Sequence, residues 1–216
     1  PENKRTSELR PVVVGFGPGG MWAALTLARA GLRPIVLERG RDIDARTADV
    51  NRFWTTKKLD ETSNVQFGEG GAGTFSDGKL FTRSKKRGDY NKALQTLVFH
   101  GATPEILYDA HPHIGTDRLP RIISNICRTI VTAGGEIHFG AKVTGFKIEG
   151  GRIRGVWVGD TLVEGAAVVL ATGHSAKDVY YTLHRDGVRL EAKPFAMGVR
   201  IEHPPVSYTH LRAHET

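Results

Sequence analysis

The sequence predicts an α/β fold in which helices cover a parallel sheet. Two short runs of β-branched and apolar residues, 11–14 and 33–37, stand on either side of an Ala- and Leu-rich segment at 21–31. Glycines within 15–20 mark a turn between the first strand and the helix, and Gly31 marks the end of the helix. Strand, helix and strand of these lengths form a βαβ unit, from which parallel sheets are built.

The elements after this unit continue the α/β pattern. Helices are predicted where a cap or helical spacing of apolar residues is present, and strands where short apolar runs are separated by turns. Thr116 or Asp117 is the expected cap of the helix that precedes the glycines at 134 and 135. Tight turns join the strands between 137 and 163 into a small antiparallel insertion. The predicted helices occupy residues 42–59, 90–99, 117–132 and 178–185, and the predicted strands 137–141, 143–149, 152–158, 161–163, 167–171 and 195–202.

Length and composition exclude several classes of protein. The 216 residues fit one domain plus part of a second, at about 100–200 residues per domain. A hydrophobic share of 39% is enough for a packed core, and one cysteine excludes an intrachain disulfide and a thiolate zinc cluster. No stretch of about 18 apolar residues is present, so we expect a soluble, cytoplasmic protein without a membrane partner.

The positive charge of the chain favours anionic ligands. Thirty Lys and Arg residues against 23 Asp and Glu give a net charge of +7. Part of the excess lies in one polar run that contains Arg83, Lys85, Lys86 and Arg87. No aromatic residue is interleaved with these charges, as a stacking surface for single strands requires, so a solvated loop is expected and nucleic acid is not an expected partner.

The glycine turn carries the clearest chemical signal in the sequence. Gly15, Gly17 and Gly20 form the pattern G-x-G-x-x-G between a strand and a helix. The first glycine permits the tight turn, the second lets the backbone approach a pyrophosphate, and the third lets the helix pack on the strand. Glu38, at the end of the second strand, is placed to accept hydrogen bonds from both ribose hydroxyls. These features predict a dinucleotide site at the N-terminus of the first helix.

Three later segments favour FAD over NAD as the dinucleotide. The second strand leads to a long glycine-rich stretch at 64–80, where a simple dehydrogenase domain has another short βαβ repeat. The segment GEIHFGAKV at 135–143 resembles the adenine-side strand of the glutathione-reductase-like flavoproteins. The segment VVLATG at 168–173 resembles the strand and turn by which those proteins return to the cofactor.

The chain also resembles a narrower family, the uncharacterised FAD-dependent dehydrogenases of glutathione-reductase-like fold. The segments VVVGFGPGGMWAALTLARAGLRPIVLERG, NVQFGEGGAGTFSDGKLFTR and VVLATGHSAKDVY carry much of the resemblance. It implies a Rossmann-like FAD/NAD(P)-binding domain, FAD as cofactor and oxidoreductase chemistry, with no assigned substrate. We expect a small-molecule substrate and an electron donor or acceptor, for which NAD(P)H is one candidate. The expected cofactor-binding residues are Gly15, Gly17, Pro18, Gly19, Gly20, Glu38, Arg39, Gly70, Gly71, Thr74, Val143, Ala171, Thr172 and Gly173.

The chain is expected to be a fragment, because members of that family extend beyond both of its ends. Residues 1–10 form a polar tail, residues 11–190 the FAD-binding domain, and residues 191–205 the start of a second, substrate-binding domain. The last eleven residues, VSYTHLRAHET at 206–216, match the translation of a DNA-sequencing adapter and are expected to be a non-native artefact.

No catalytic residue and no metal ligand set are predicted, because a flavin itself carries the redox chemistry. His174 is expected near the cofactor, His111 and His113 in a capping or substrate loop, and Cys127 as a buried core thiol. Three alternatives stay open: an NAD-only dehydrogenase, a flavin-bearing protein that modifies tRNA or another nucleic acid, and a fragment that binds no ligand well.

Overall fold

The computed structural model describes residues 9–76, 78–80, 88–115, 117–194 and 198. They form two sheets with five α-helices around them, together with short 3-10 turns at Gly71–Gly73 and Pro104–Leu107. The strands are β1 (Val12–Val14), β2 (Ile35–Leu37), β3 (Glu136–His138), β4 (Val143–Glu149), β5 (Arg152–Val158), β6 (Thr161–Glu164) and β7 (Val168–Leu170). The helices are α1 (Pro18–Arg29), α2 (Ile43–Thr56), α3 (Tyr90–Phe99), α4 (Leu119–Thr132) and α5 (Lys177–Arg185).

The larger sheet is parallel, with strand order β3-β2-β1-β7. All three valines of β1 are buried, which explains why this strand is a continuous apolar run. Val13 packs in one core cluster with residues of α1, α3 and α4. Val12 and Val14 pack in a second cluster with the antiparallel sheet and α5. The sheet therefore has a packed core on each face.

The smaller sheet is antiparallel, with strand order β4-β5-β6. It packs against α5, and the backbone N–H of Phe146 in β4 donates to Oδ2 of Asp186 at 2.7 Å, just beyond that helix. The predicted insertion between the last helices is thus confirmed, together with the α/β class and the parallel sheet.

One strand lies in a different sheet from the one predicted. Residues 137–141 were expected to begin the antiparallel insertion, but β3 pairs in parallel with β2 at the edge of the larger sheet. The chain reaches that edge through α4 and the turn that follows it, and the N–H of Glu136 then donates to the carbonyl of Pro34, just before β2, at 2.9 Å. This bond and the three-residue pairing with β2 place the strand in the larger sheet.

Helix boundaries follow the expected signals with two corrections. Asp42 caps α2 through its side chain, which accepts from the N–H groups of Asp44 and Ala45. Helix α1 begins at Pro18, three residues earlier than expected, because proline is well suited to the first position of a helix. The cap of α4 is Arg118, which makes no side-chain capping bond, so Asp117 does not cap this helix.

Some sequence predictions fall outside the described residues. These are the strand at 195–202, the cap at Thr116, the charged run at 83–87 and the segment 206–216. The domain boundaries at 10, 190 and 205 stay predictions. Among the helices in the described ranges, none is long and apolar enough to cross a membrane.

The buried stripe of α4 yields a stability prediction. Ile126 is fully buried, whereas Val131 on the same helix is 52% exposed. We expect Ile126→Ala to lower the free energy of unfolding by about 2–5 kcal/mol, because it leaves a cavity in the core. Val131→Ala, the matched control, should change it by less than about 0.5 kcal/mol. Urea denaturation of both variants measures the difference, and equal losses would contradict the packing of α4.

Candidate dinucleotide-binding site

A cavity of about 390 Å³ opens at the carboxyl ends of β1, β2 and β7. In open α/β sheets, ligands bind outside the carboxyl ends of the strands, at the point where the strand order reverses. In this sheet that point is at β1, which has β2 on one side and β7 on the other. The volume lies within the usual range of ligand pockets, about 300–1,000 Å³. The lining residues are Val14, Gly15, Gly17, Pro18, Gly19, Leu37, Glu38, Arg39, Gln66, Phe67, Gly71, Ala72, Gly73, Ala141, Val143, Ala171, Thr172, Gly173, His174, Ser175 and Val179.

Most of the residues predicted to bind the cofactor are brought together around this cavity. Gly20, Gly70 and Thr74 are not among the lining residues, and each is buried in the packing behind the wall. A Cβ at Gly70 would lie 2.3 Å from Oγ1 of Thr74, so these two residues pack on each other. The predicted residues that line the cavity are Gly15, Gly17, Pro18, Gly19, Glu38, Arg39, Gly71, Val143, Ala171, Thr172 and Gly173, and their contact with a cofactor stays a prediction.

The three glycines of the motif have different physical roles. Gly15 has a φ of +95°, and a Cβ there would lie 2.5 Å from the carbonyl oxygen of Ala171. A Cβ at Gly20 would lie 1.9 Å from the carbonyl oxygen of Gly15, which no side chain can tolerate. A Cβ at Gly17 would meet only Cα of Gly71, at an ordinary 3.7 Å. The fold thus requires glycine at 15 and 20, whereas glycine at 17 keeps open the gap beside the helix N-terminus.

Glu38 joins three segments of the chain beneath the cavity. Oε2 of its buried carboxylate accepts the N–H of Phe16 at 2.6 Å, and Oε1 accepts the N–H groups of Gly40 at 2.9 Å and Gly68 at 3.0 Å. A carboxylate offers about four acceptor positions, so these bonds leave one on Oε2. The side chain therefore has a structural role besides the predicted contact with a ribose, which stays a prediction.

A buried arginine holds the segment 64–74, which forms one wall of the cavity. The guanidinium of Arg46 in α2 donates to the carbonyl oxygens of Asn64, Glu69 and Gly71 at 2.6–2.8 Å, and to Oγ1 of Thr74 at 3.0 Å. Burial lowers the pKa of Arg46 to about 10, while Glu38 and Glu69 act in the opposite direction. The side chain therefore stays charged at neutral pH.

Glu69 lies in the same buried layer and contacts the only cysteine. Its Oε2 accepts the N–H of Ile43 at 2.8 Å, and the Cys127 thiol donates to its carboxylate. Burial raises the pKa of Glu69, and burial together with Glu69 raises the pKa of Cys127 to about 12. The thiol thus stays protonated, which favours a structural role over a redox role. Cys127 was predicted to be a buried core thiol, but it is only partly buried and packs against the edge of the core.

At the other end of the cavity, Arg39 is held by two neighbours. Its Nη2 donates to both carboxylate oxygens of Asp178 in α5 at 3.0 Å, and its guanidinium lies 4.5 Å from the ring centre of Phe67. Lys142 also pairs with Asp178, at 3.1 Å. These contacts fix α5 against the side of the cavity that Val143 lines.

Several site residues were not found from the sequence. Gln66, Phe67, Ala72, Gly73 and Ala141 line the cavity but were not among the predicted cofactor-binding residues, although the segments that contain them, 64–80 and 135–143, were singled out. His174 and Ser175 follow the Ala-Thr-Gly turn and line the cavity, and the position of His174 near a cofactor stays a prediction. Across the described part of the chain, no cluster of three or more His, Cys, Asp or Glu residues could hold a metal ion.

Arg46 was missed although the sequence contains a signal for it. Ile43, Arg46 and Val50 share one face of α2 at the spacing of a buried stripe, and all three are buried. A charged residue between two apolar ones on such a face indicates a buried charge with dedicated partners.

Comparisons with known proteins agree with this fold. No family model matches the chain. It is 50% identical over 195 residues to an uncharacterized protein of Clostridium beijerinckii, and the match covers 90% of this chain. It is 29% identical over 162 residues, 75% of this chain, to the probable electron transfer flavoprotein-quinone oxidoreductase YdiS of Escherichia coli. The chain spans 36% of the length of each of these two relatives.

Two solved structures share the fold at low sequence identity. Thermovibrio ammonificans THI4 superposes with a TM-score of 0.53 at 18% identity, over 83% of this chain and 62% of that one. The glycerol-3-phosphate dehydrogenase of Bacillus halodurans, solved in complex with FAD, superposes with a TM-score of 0.52 at 14% identity, over 81% of this chain and 36% of that one. The chain therefore has the Rossmann-like α/β fold of FAD/NAD(P)-binding proteins, with a parallel sheet and a small antiparallel sheet.

The contrast between Gly17 and Gly20 is directly testable. We expect Gly20→Ala to lower the free energy of unfolding by more than about 3 kcal/mol, because its Cβ collides with backbone. Gly17→Ala should change it by less than about 1 kcal/mol, because its Cβ has room and the residue is not left-handed. Thermal or urea unfolding compares the two, and a large loss at Gly17 would mean that this glycine is also structural.

The buried carboxylate of Glu69 predicts a pH dependence. Its pKa is raised from the ordinary value of 4.5, so the folded state binds more protons than the unfolded state just above that pH. As pH rises from about 4.5 through the raised pKa, wild-type stability should therefore fall relative to Glu69→Gln. Urea unfolding of both proteins across this range measures the difference. Parallel pH profiles would show that Glu69 ionises in the folded state as it does in water.

Proposed function

We propose that this chain carries the FAD-binding domain of a flavin-dependent oxidoreductase. The observation that carries the proposal is the cavity at the strand ends, where the N-terminus of α1, the open gap at Gly17 and the wall at Gly71–Gly73 meet. The first N–H groups of a helix have no partners within it and favour an anion, and Gly17 lets a pyrophosphate come close to them. The residues present therefore fit a dinucleotide.

The two ends of the cavity suit the two halves of such a ligand. Val143, Ala141 and Phe67 supply apolar surface for a base, and the remaining acceptor position of Glu38 suits one ribose hydroxyl. Beyond the helix N-terminus, the walls at 71–73 and 171–173 consist of small, uncharged residues, which leave room for a ring system without adding charge. A bound flavin supplies transfer of an electron pair between a substrate and an electron donor or acceptor.

Similarity to named proteins supports the same reading. The relative from Escherichia coli is named as a probable flavoprotein oxidoreductase, and the dehydrogenase from Bacillus halodurans was solved with FAD. The chain spans about a third of each curated relative, so the activity of the whole protein is part of the proposal. We propose a small-molecule substrate and a separate electron donor or acceptor, for which NAD(P)H is one candidate.

The alternatives from the sequence receive no added support. If the chain were an NAD-only dehydrogenase, the wall at Gly71–Gly73 would have no role in cofactor binding. The hypothesis of a nucleic-acid-modifying protein rests on the charged run at 83–87, which lies outside the described residues. No second function is therefore proposed.

Titration with FAD and NAD tests the proposal. We expect the 216-residue chain to bind FAD more tightly than NAD, because the walls at 71–73 and 171–175 add contacts beyond the adenine half. Gly17→Val should abolish FAD binding, since its side chain fills the gap that the pyrophosphate needs. Flavin fluorescence and calorimetry measure both effects.

Thr26→Val is the matched control, because this exposed residue is on the same helix and does not line the cavity, so the substitution should leave binding in place. Tighter binding of NAD than of FAD, or full FAD binding by Gly17→Val, would contradict the proposal.

A further inference from the structure

We infer that Arg46 is a positioning residue for the cofactor: without lining the cavity, it holds the segment 64–74 in the conformation that forms the cavity wall. The inference rests on the proposed function, because it assigns a role in binding the same cofactor. The segment 64–74 is called the glycine loop below.

The first observation is the burial of the Arg46 side chain. It is 0% exposed, although long charged side chains are almost never fully buried unless they are paired. Burial of a guanidinium is costly, so its donors must be satisfied inside the protein. Because of this cost, the burial of Arg46 indicates a specific structural role for its side chain.

The second observation is where its hydrogen bonds go. Nε donates to the carbonyl of Asn64, Nη1 to the carbonyl of Glu69 and Oγ1 of Thr74, and Nη2 to the carbonyl of Gly71. All four acceptors lie in the glycine loop, at its start, middle and end. The planar fork of arginine reaches these diverging acceptors at once, which a lysine ammonium cannot do with the same geometry.

The third observation is the conformation of the loop itself. Apart from the single 3-10 turn Gly71–Gly73, it has no helix or strand, and Gly68, Gly70 and Gly71 have left-handed φ values of +124°, +80° and +65°. A glycine-rich segment loses much conformational entropy when it becomes ordered, and the glycine loop has few hydrogen bonds of helix or strand type to offset that loss. The four bonds from Arg46, together with those that the N–H groups of Gly68 and Gly70 donate to Glu38 and Phe16, offset this loss.

The fourth observation connects the loop to the cavity. Gly71 lies against the glycine turn so closely that a Cβ there would be 2.7 Å from Cα of Gly17. Gln66, Phe67 and Gly71–Gly73 line the cavity, whereas Arg46 does not. Loss of the Arg46 bonds should thus leave the fold in place and release the wall that faces the ligand.

The test compares Arg46→Met with Arg52→Met, in the full 216-residue chain. Arg52 is on the same helix, but its side chain is 53% exposed and pairs only with Asp49 and Asp60 among the described residues. Hydrogen exchange without cofactor and an FAD titration are measured for both. We expect faster exchange at the N–H groups of Gly68, Gly70 and Gly71 in Arg46→Met, with β5 still protected.

FAD binding should weaken by about tenfold or more in Arg46→Met, as expected if the competent loop conformation falls to a tenth or less of the molecules. Arg46→Lys should recover part of the loss because it keeps the charge and one or two donors. Arg52→Met should match wild type in both measurements. If Arg46→Met does not fold, Arg46→Gln, which retains one amide donor group, is judged by the same criteria.

Two results would overturn the inference and are distinguishable from failure of the proposed function. Wild-type protection of the loop in the Arg46 variant would show that Arg46 does not hold it. Faster loop exchange with unchanged FAD affinity would show that the loop does not position the cofactor. Failure of wild type and Arg52→Met to bind FAD would instead refute the proposed function, and with it any cofactor role for Arg46.

Discussion

Two buried side chains of opposite charge hold the backbone segments around the cavity. Glu38 accepts the N–H of Gly68 at 3.0 Å, and a Cβ on Gly68 would lie 2.4 Å from Cδ of Arg46. Gly68 thus lies between a carboxylate from the end of β2 and a guanidinium from α2. Glu38 adds the N–H groups of Phe16 and Gly40, which ties the same layer to the glycine turn. The cavity depends on this arrangement, because it sets the distance between its walls.

The glycines of the chain are explained by this close packing as much as by a ligand. Gly40 lies so close to the loop that a Cβ there would be 2.5 Å from Cα of Gly68, and Gly20 approaches the carbonyl of Gly15 in the same manner. Gly17, Gly19 and Gly73, by contrast, have ordinary space around a Cβ and border the cavity. A glycine-rich sequence beside a dinucleotide fingerprint therefore contains both packing positions and ligand positions, and the structure separates them.

The sequence predicts the parts of the site that follow from local patterns. The strand, glycine turn and helix at 11–31 define their own geometry, and Glu38 follows at the end of the next strand, so the glycine turn and Glu38 meet at one cavity. The spacing in α2 can indicate that Arg46 is buried, but its partners and the individual lining positions in 64–74 depend on contacts between distant segments, which no local pattern encodes. The edge position of β3 was missed for the same reason, since parallel pairing with β2 depends on the crossover through α4.

A crystal structure of the chain with FAD bound tests the central claim most directly. The account predicts a pyrophosphate within hydrogen-bond distance of the first N–H groups of α1, beside Gly17, with the adenine near Val143 and the flavin half between the backbone at 71–73 and 171–173. Arg46 should keep its bonds to the glycine loop and make no contact with the cofactor. FAD bound elsewhere on the chain, or a loop that leaves Arg46 to admit it, would contradict the account.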